Sequence, residues 1–251
     1  MFPITAVVLT KNSSETLKKT LDSLKDFKHV LILDTGSTDN SLEIAAAFTN
    51  VTIKKHPFTT FGALRNLAAE FVSTDWILTL DSDEVLSEKA LKEISLLKLD
   101  PQKVYSFPRW NYFNDKFIQW CGWYPDRVLR LYNKTKAHYS SDFVHERVLF
   151  PGLEEQKLLG PLEHFSYRHI ADFLDKMQKY TTLFAEQNQY KKSSSPLKAL
   201  LHSVFAFFKS YILQKGVLGG WEGFIIASYN SQTTFYKYLK LWELNNRSYY
   251  D

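Results

Sequence analysis

Trp76-Ile77-Leu78-Thr79-Leu80-Asp81-Ser82-Asp83-Glu84 is a short apolar run that stops abruptly at acidic residues. Its continuity fits a strand buried on both faces rather than one with a wet side. Two earlier runs repeat the arrangement. Ile4 to Leu9 (ITAVVL) leads into Thr10-Lys11-Asn12-Ser13-Ser14-Glu15, and His29 to Leu33 (HVLIL) leads into Asp34-Thr35-Gly36-Ser37-Thr38-Asp39. Helical spacing follows, with Leu17, Leu21 and Leu24 apolar in the first case and residues 41–48 in the second. Residues 51–54 read as a short strand, and 61–72 and 86–97 as helices, the latter closed by Pro101. This alternation predicts an α/β fold with a mostly parallel sheet. Ligands bind such sheets beyond the carboxyl ends of the strands, so the clusters at Thr10, Asp34 and Asp81 are predicted to meet at one edge.

The pattern changes beyond residue 100. Aromatic residues crowd the stretch 104–165, with Arg109, Arg127 and Arg130 among them, and short strands such as Arg127 to Tyr132 are expected. From residue 166 the chain reads as helical, first over 170–191 and then, after Ser193-Ser194-Ser195-Pro196, over 197–214. On the second helix Leu197, Leu201, Val204, Phe208 and Tyr211 share a stripe, with Lys198, His202 and Lys209 opposite. Packing on the rest of the protein and a peripheral membrane contact through these C-terminal helices both suit that stripe. No run is long and apolar enough to span a membrane, and the start lacks the basic region of a signal peptide.

The 251 residues are 45% hydrophobic, 16% aromatic and 23% charged, which excludes a disordered chain. Roughly three quarters of the unfolded surface is buried at this length, so no metal or disulfide staple is required. The single cysteine, Cys121, excludes a disulfide framework and a cysteine-based zinc site, and it fits a reducing compartment. A net charge of +4 is too small to argue for nucleic-acid binding, and none is expected. It suits an anionic small molecule or an anionic surface.

Two motifs carry chemistry. An isolated Asp-x-Asp is more often a solvated turn, but Asp81 and Asp83 cap a buried strand at the predicted crevice. There two carboxylates suit Mg²⁺ or Mn²⁺, hard ions that share oxygen ligands with substrate phosphates. Asp34 offers an acceptor to a base or ribose, and Gly36 allows the tight turn after it.

In order along the chain stand Val7-Val8-Leu9-Thr10-Lys11-Asn12, Leu33-Asp34-Thr35-Gly36-Ser37-Thr38-Asp39, Arg65-Asn66 and Leu80-Asp81-Ser82-Asp83-Glu84. As a set they resemble glycosyltransferase family 2, the inverting GT-A enzymes that use nucleotide-sugar donors. Trp120-Cys121-Gly122-Trp123-Tyr124-Pro125-Asp126-Arg127 and Val144-His145-Glu146 are similar to the branch that adds β-1,4-glucose to the bacterial lipopolysaccharide core. The resemblance implies a Rossmann-like GT-A domain over 1–165, with a nucleotide-binding half (1–100) and an acceptor-binding half (101–165), and a C-terminal helical extension over 166–251. It implies a UDP-sugar donor, a glycolipid or oligosaccharide acceptor, and a cytoplasmic setting at the inner membrane face.

By the same resemblance, Thr10 and Asp34 hold the nucleoside, Arg65 meets the uracil or diphosphate, and Asp81 faces the ribose and metal. Asp83 binds the cation, and His164 lies near metal or diphosphate. Many relatives have two acidic residues where this chain has Asp34-Thr35, so the position touching the base is open between them. Inverting transfer needs a base for the acceptor hydroxyl. Glu146 is the candidate, with Asp126 and Asp142 as alternatives. Trp123 and Tyr124 are expected as sugar platforms, Arg127 as a contact for acceptor phosphate, and His145 as acceptor-facing or structural. A nucleotidyltransferase fits less well, because the loop after the first strand has no glycine. A non-catalytic binding protein on the same scaffold would not need the Asp81/Asp83 pair.

Overall fold

The computed structural model describes residues 3–140, 142 and 146–246. Four strands, β1 (Ile4–Thr10), β2 (His29–Asp34), β3 (Val51–Lys55) and β4 (Trp76–Asp81), run parallel in the order β3-β2-β1-β4. They are joined through α1 (Leu17–Asp22), α2 (Ser41–Ala46) and α3 (Phe61–Glu70). β1 is buried along its whole length, as its unbroken apolar run requires. Alternate side chains leave opposite faces of the sheet and build two cores. Val8, Ile32 and Leu80 join Leu17 of α1 and Ala45 of α2 on one side. Val7, Leu33 and Ile77 join Leu64 and Ala68 of α3 on the other.

Beyond β4 the sheet turns antiparallel. β5 (Glu84–Leu86) is followed by α4 (Glu88–Leu96), whose cap Ser87 accepts the Ala90 N–H at 3.1 Å. β6 (Lys103–Phe113), β7 (Lys116–Phe117) and β8 (Arg127–Asn133) come next. β8 pairs antiparallel with β4 and β6. A small ladder joins β9 (His138–Tyr139) to β10 (Val148–Leu149). β11 (Glu154–Lys157) lies parallel to β6, and β12 (Leu162–Tyr167) antiparallel to β5. Only Ser82 and Asp83 separate β5 from β4, and the sequence pattern predicts no strand at β5.

The chain forms two compact units. The first runs to Trp110 and resumes over Asp126–Phe165; the second comprises 111–125 and the residues from Ser166 onward. Residues 111–125, expected in the acceptor half, belong to the second unit because Phe113, Ile118 and Cys121 share its core with Phe173 and Ile226. Its helices are α5 (Ile170–Asn188), α6 (Pro196–Phe208) and α7 (Gly220–Asn245). The helix expected over 197–214 is α-helical only to Phe208, then widens into a π-helical turn, Lys209–Leu213. A 3₁₀ turn, Gly216–Gly219, then leads into the 26-residue α7, which begins at Gly220. Among the described residues no helix is long and apolar enough to cross a membrane.

Candidate active site

Strand register sets the site. Thr10 lies level with Asp34, and Leu9 with Asp81, so the loops after β1, β2 and β4 leave the sheet at one edge. Hydrogen bonds then stitch the loops together. The Asn12 N–H donates to Ser37 Oγ at 3.0 Å, and Asn12 Oδ1 accepts the Thr38 N–H at 2.8 Å. Ser13 Oγ lies 2.7 Å from Ser82 Oγ, joining the first loop to the third. Asp39 Oδ2 accepts the Ser14 N–H at 3.0 Å. Desolvation raises the Asp39 pKa, but the Ser41 hydroxyl and the Ser14 amide outweigh it and hold the carboxyl at about 2.

Asp34 is buried, and its carboxylate serves its own loop. Oδ2 accepts the Gly36 N–H at 3.1 Å, and Oδ1 accepts the Ser37 hydroxyl at 2.5 Å. Gly36 has φ +100°, a conformation that disfavours any side chain. Thr10 Oγ1, by contrast, is buried at the same edge with no hydrogen-bond partner among the described residues. A buried hydroxyl normally has one, and a ligand would supply it here.

Behind the loops lies a network of buried charges. Asp81 Oδ1 accepts from Arg65 at 2.5 Å and Oδ2 from Arg130 at 2.6 Å. Arg130 also donates to Glu84 Oε1 at 2.6 Å, and Glu84 Oε2 accepts the Asp81 N–H at 3.1 Å. The Arg109 guanidinium approaches Glu84 at 3.6 Å and reaches Asp126 at 2.7 Å. Burial pushes the Asp81 carboxyl up, but the Arg130 and Arg65 charges prevail and keep it far below the usual carboxylate range. Arg65, whose guanidinium also lies 4.8 Å from the centre of the Tyr139 ring, bonds Glu146 Oε1 at 2.6 Å. The first turn of α3 makes room for this pair. A Cβ on Gly62 would stand 2.1 Å from the Ser140 carbonyl oxygen and 3.4 Å from Glu146 Cβ.

The network gathers Arg65, Asp81, Glu146 and Asp126, and it adds Glu84 and Arg130. Glu84 carried no signal beyond following the acidic pair, because a three-residue strand leaves no periodicity to read. Arg130 did carry one: a cation between Leu129 and Leu131 in an apolar strand needs a carboxylate partner. Arg109 and Arg130 are thus paired with protein carboxylates. The Arg127 guanidinium donates to the Ser106 carbonyl at 2.8 Å and to the Leu158 carbonyl at 3.0 Å, so it clamps β6 instead of facing an acceptor phosphate.

Asp83 and His164 face each other across β5 and β12, with Asp83 Oδ2 3.6 Å from His164 Nε2. Among the described residues no three potential ligands cluster as a closed metal site. A carboxylate with an imidazole fits a divalent cation whose remaining ligands are substrate oxygens and water. Both oxygens of Asp81 are already engaged by guanidinium groups. In the second unit Trp123, expected as a sugar platform, is half-buried and packs on Tyr167 and Phe173, with ring centres 5.0 and 6.2 Å away. Tyr124 is at the surface. His145 lies outside the described residues.

A sheet of this topology with three polar loops at one edge defines a class, and the sequence comparison names it. The model of glycosyl transferase family 2 matches residues 5–159, and the chain belongs to that family, with its GT-A fold. It is 25% identical to LpsC, a lipopolysaccharide core biosynthesis glycosyltransferase of Rhizobium meliloti (strain 1021), over 96% of this chain and 92% of that one. An uncharacterized glycosyltransferase of Rickettsia prowazekii (strain Madrid E), RP128, is 24% identical over 99% of this chain and 89% of its own. Among solved structures, S. aureus TarS 1–349 in complex with UDP-GlcNAc aligns over 99% of this chain and 92% of that one. It does so at 13% identity and a TM-score of 0.46.

Proposed function

We propose that this glycosyltransferase is an inverting, cation-assisted hexosyltransferase. It moves a hexose, with UDP-glucose the favoured donor, onto a bacterial surface glycolipid such as the lipopolysaccharide inner core, with a heptose as acceptor. The observation that carries the reading is the Ser13–Ser82 bond, which ties the nucleoside-side loop to the Asp81-Ser82-Asp83 loop. The likeness to LpsC supports the lipopolysaccharide acceptor. Such an acceptor keeps its lipid in the membrane, so the enzyme works at the cytoplasmic membrane surface.

The Thr10 hydroxyl, without a partner among the described residues, and the Asp34 loop receive the nucleoside. Asp83 and His164 would hold Mg²⁺ or Mn²⁺. When bound, such an ion neutralises charge on the departing diphosphate. Asp81 fixes Arg65 and Arg130 at the back of the site. Arg65 in turn orients Glu146 through Oε1, and Glu146 Oε2 takes the proton of the acceptor hydroxyl as the new bond forms. Asp126, paired with Arg109, is the alternative base.

Calorimetric titration with a panel of UDP-sugars, with and without Mn²⁺, tests the donor and the cation together. UDP-glucose should bind most tightly, and Mn²⁺ should strengthen binding to the wild type but not to Asp83→Asn. That variant should melt at the wild-type temperature and nearly abolish transfer. Binding indifferent to Mn²⁺ in the wild type, or normal turnover in Asp83→Asn, overturns the assignment.

A further inference from the structure

α6 has its side chains arranged contrary to an ordinary surface helix. Ala199 and Ser203 are buried, and Ser210 in the turn beyond is buried as well. Ser231 Oγ donates to the Ser203 carbonyl at 2.9 Å, and Asn230 Nδ2 to Ser210 Oγ at 2.9 Å, so α7 covers this small, polar side. The large apolar residues point away. Leu197 is 65% exposed, Leu201 62% and Phe205 59%. The surface continues through Leu218, 67% exposed, to Trp221, 79% exposed, at the start of α7. Of 23 exposed large apolar side chains among the described residues, 12 fall between Leu197 and Phe224, which makes this a patch and not scatter.

Charge identifies the occupant. From Leu197 to Phe224 the chain has Lys198, Lys209 and Lys215 against a single acidic residue, Glu222, which Lys116 meets at 3.2 Å. Lys209 follows the exposed Phe208, and Lys215 sits between the exposed Leu213 and Val217, so both cations border the apolar surface. Apolar side chains with a Trp, bordered by the exposed cations Lys209 and Lys215 while Glu222 is neutralised by Lys116, match the headgroup boundary of an anionic bilayer. We infer that the surface formed by α6, the turns after it and the start of α7 docks in the plane of an anionic phospholipid membrane. Leu201, Phe205 and Trp221 enter the acyl boundary, and Lys209 and Lys215 meet lipid phosphates. The inference gives the membrane-surface reading a definite face, yet it stands on the second unit alone.

Full-length protein sedimented with phosphatidylcholine vesicles, and with vesicles containing phosphatidylglycerol, provides the test. The wild type should partition at least tenfold more strongly to the anionic vesicles, and less as salt rises. The triple variant Leu201→Ser, Phe205→Ser, Trp221→Ser should lose at least tenfold in partitioning while keeping its melting temperature. Lys209→Gln with Lys215→Gln should remove the preference for phosphatidylglycerol. A wild type that stays in the supernatant overturns the proposal, as does a triple variant that binds undiminished. It is overturned equally by a wild-type dimer, seen in sedimentation velocity, that ignores vesicles and becomes monomeric in the triple variant. UDP titration of the same samples reads the transferase separately, so lost vesicle binding with intact UDP binding refutes only the docking face.

Discussion

At the loop edge of the first unit, charged groups turn inward; on α6 of the second, large apolar groups turn outward. Both reverse the usual sorting of residues by water, and each reversal needs a partner. Asp81 and the fully buried Glu84 find theirs within the chain, in Arg65 and Arg130. The apolar face of α6 has no cover among the described residues. An internally matched reversal holds a site rigid, whereas an unmatched one marks a surface that something else completes.

Breaking the internal match should cost most. Arg130→Met removes the cation shared by Asp81 and Glu84 and leaves Glu84 a buried charge with only a distant Arg109. A destabilisation of about 3–5 kcal/mol is expected, read as a drop in denaturant midpoint at unchanged slope. A loss below about 1 kcal/mol would mean that the network is solvated and that the contrast between the two regions is false.

The same network should be sharpened by Glu146→Gln, which keeps the shape next to Arg65 but removes the base. Turnover should fall on the order of 10²-fold with UDP affinity nearly unchanged, as for loss of a general base. If Asp126→Asn produces that split and Glu146→Gln does not, the base sits on β8's side of the network and Glu146 only anchors Arg65.

The sequence made the parallel half of the fold legible because buried strands are written as unbroken apolar runs. Register then brought Thr10, Asp34 and Asp81 to one edge without any further information. Less was legible where a residue's role depends on a distant partner. Asp34 and Asp81 were both singled out as ligand contacts. Only the fold showed that one carboxylate is folded into its own loop and the other held between two arginines. Arg127 illustrates the limit, since nothing in the sequence distinguishes an arginine that clamps backbone carbonyls from one that awaits phosphate. The stripe on α6 was visible too, but periodicity identifies an apolar face without saying which way it points.

That direction is what the smallest expected effects decide. In a helix packed by its apolar stripe, Leu201→Ser would empty part of a core and cost about 2 kcal/mol or more. With Leu201 at the surface it should change stability by no more than about 0.5 kcal/mol, most of it helix propensity. Ala199→Leu, harmless on a solvent side, should instead cost about 1–3 kcal/mol by forcing three more carbons against α7. Measured together by chemical denaturation in the absence of lipid, the pair gives an internal control. A costly Leu201→Ser with a tolerated Ala199→Leu would rotate α6 by half a turn and bury the face assigned to the bilayer.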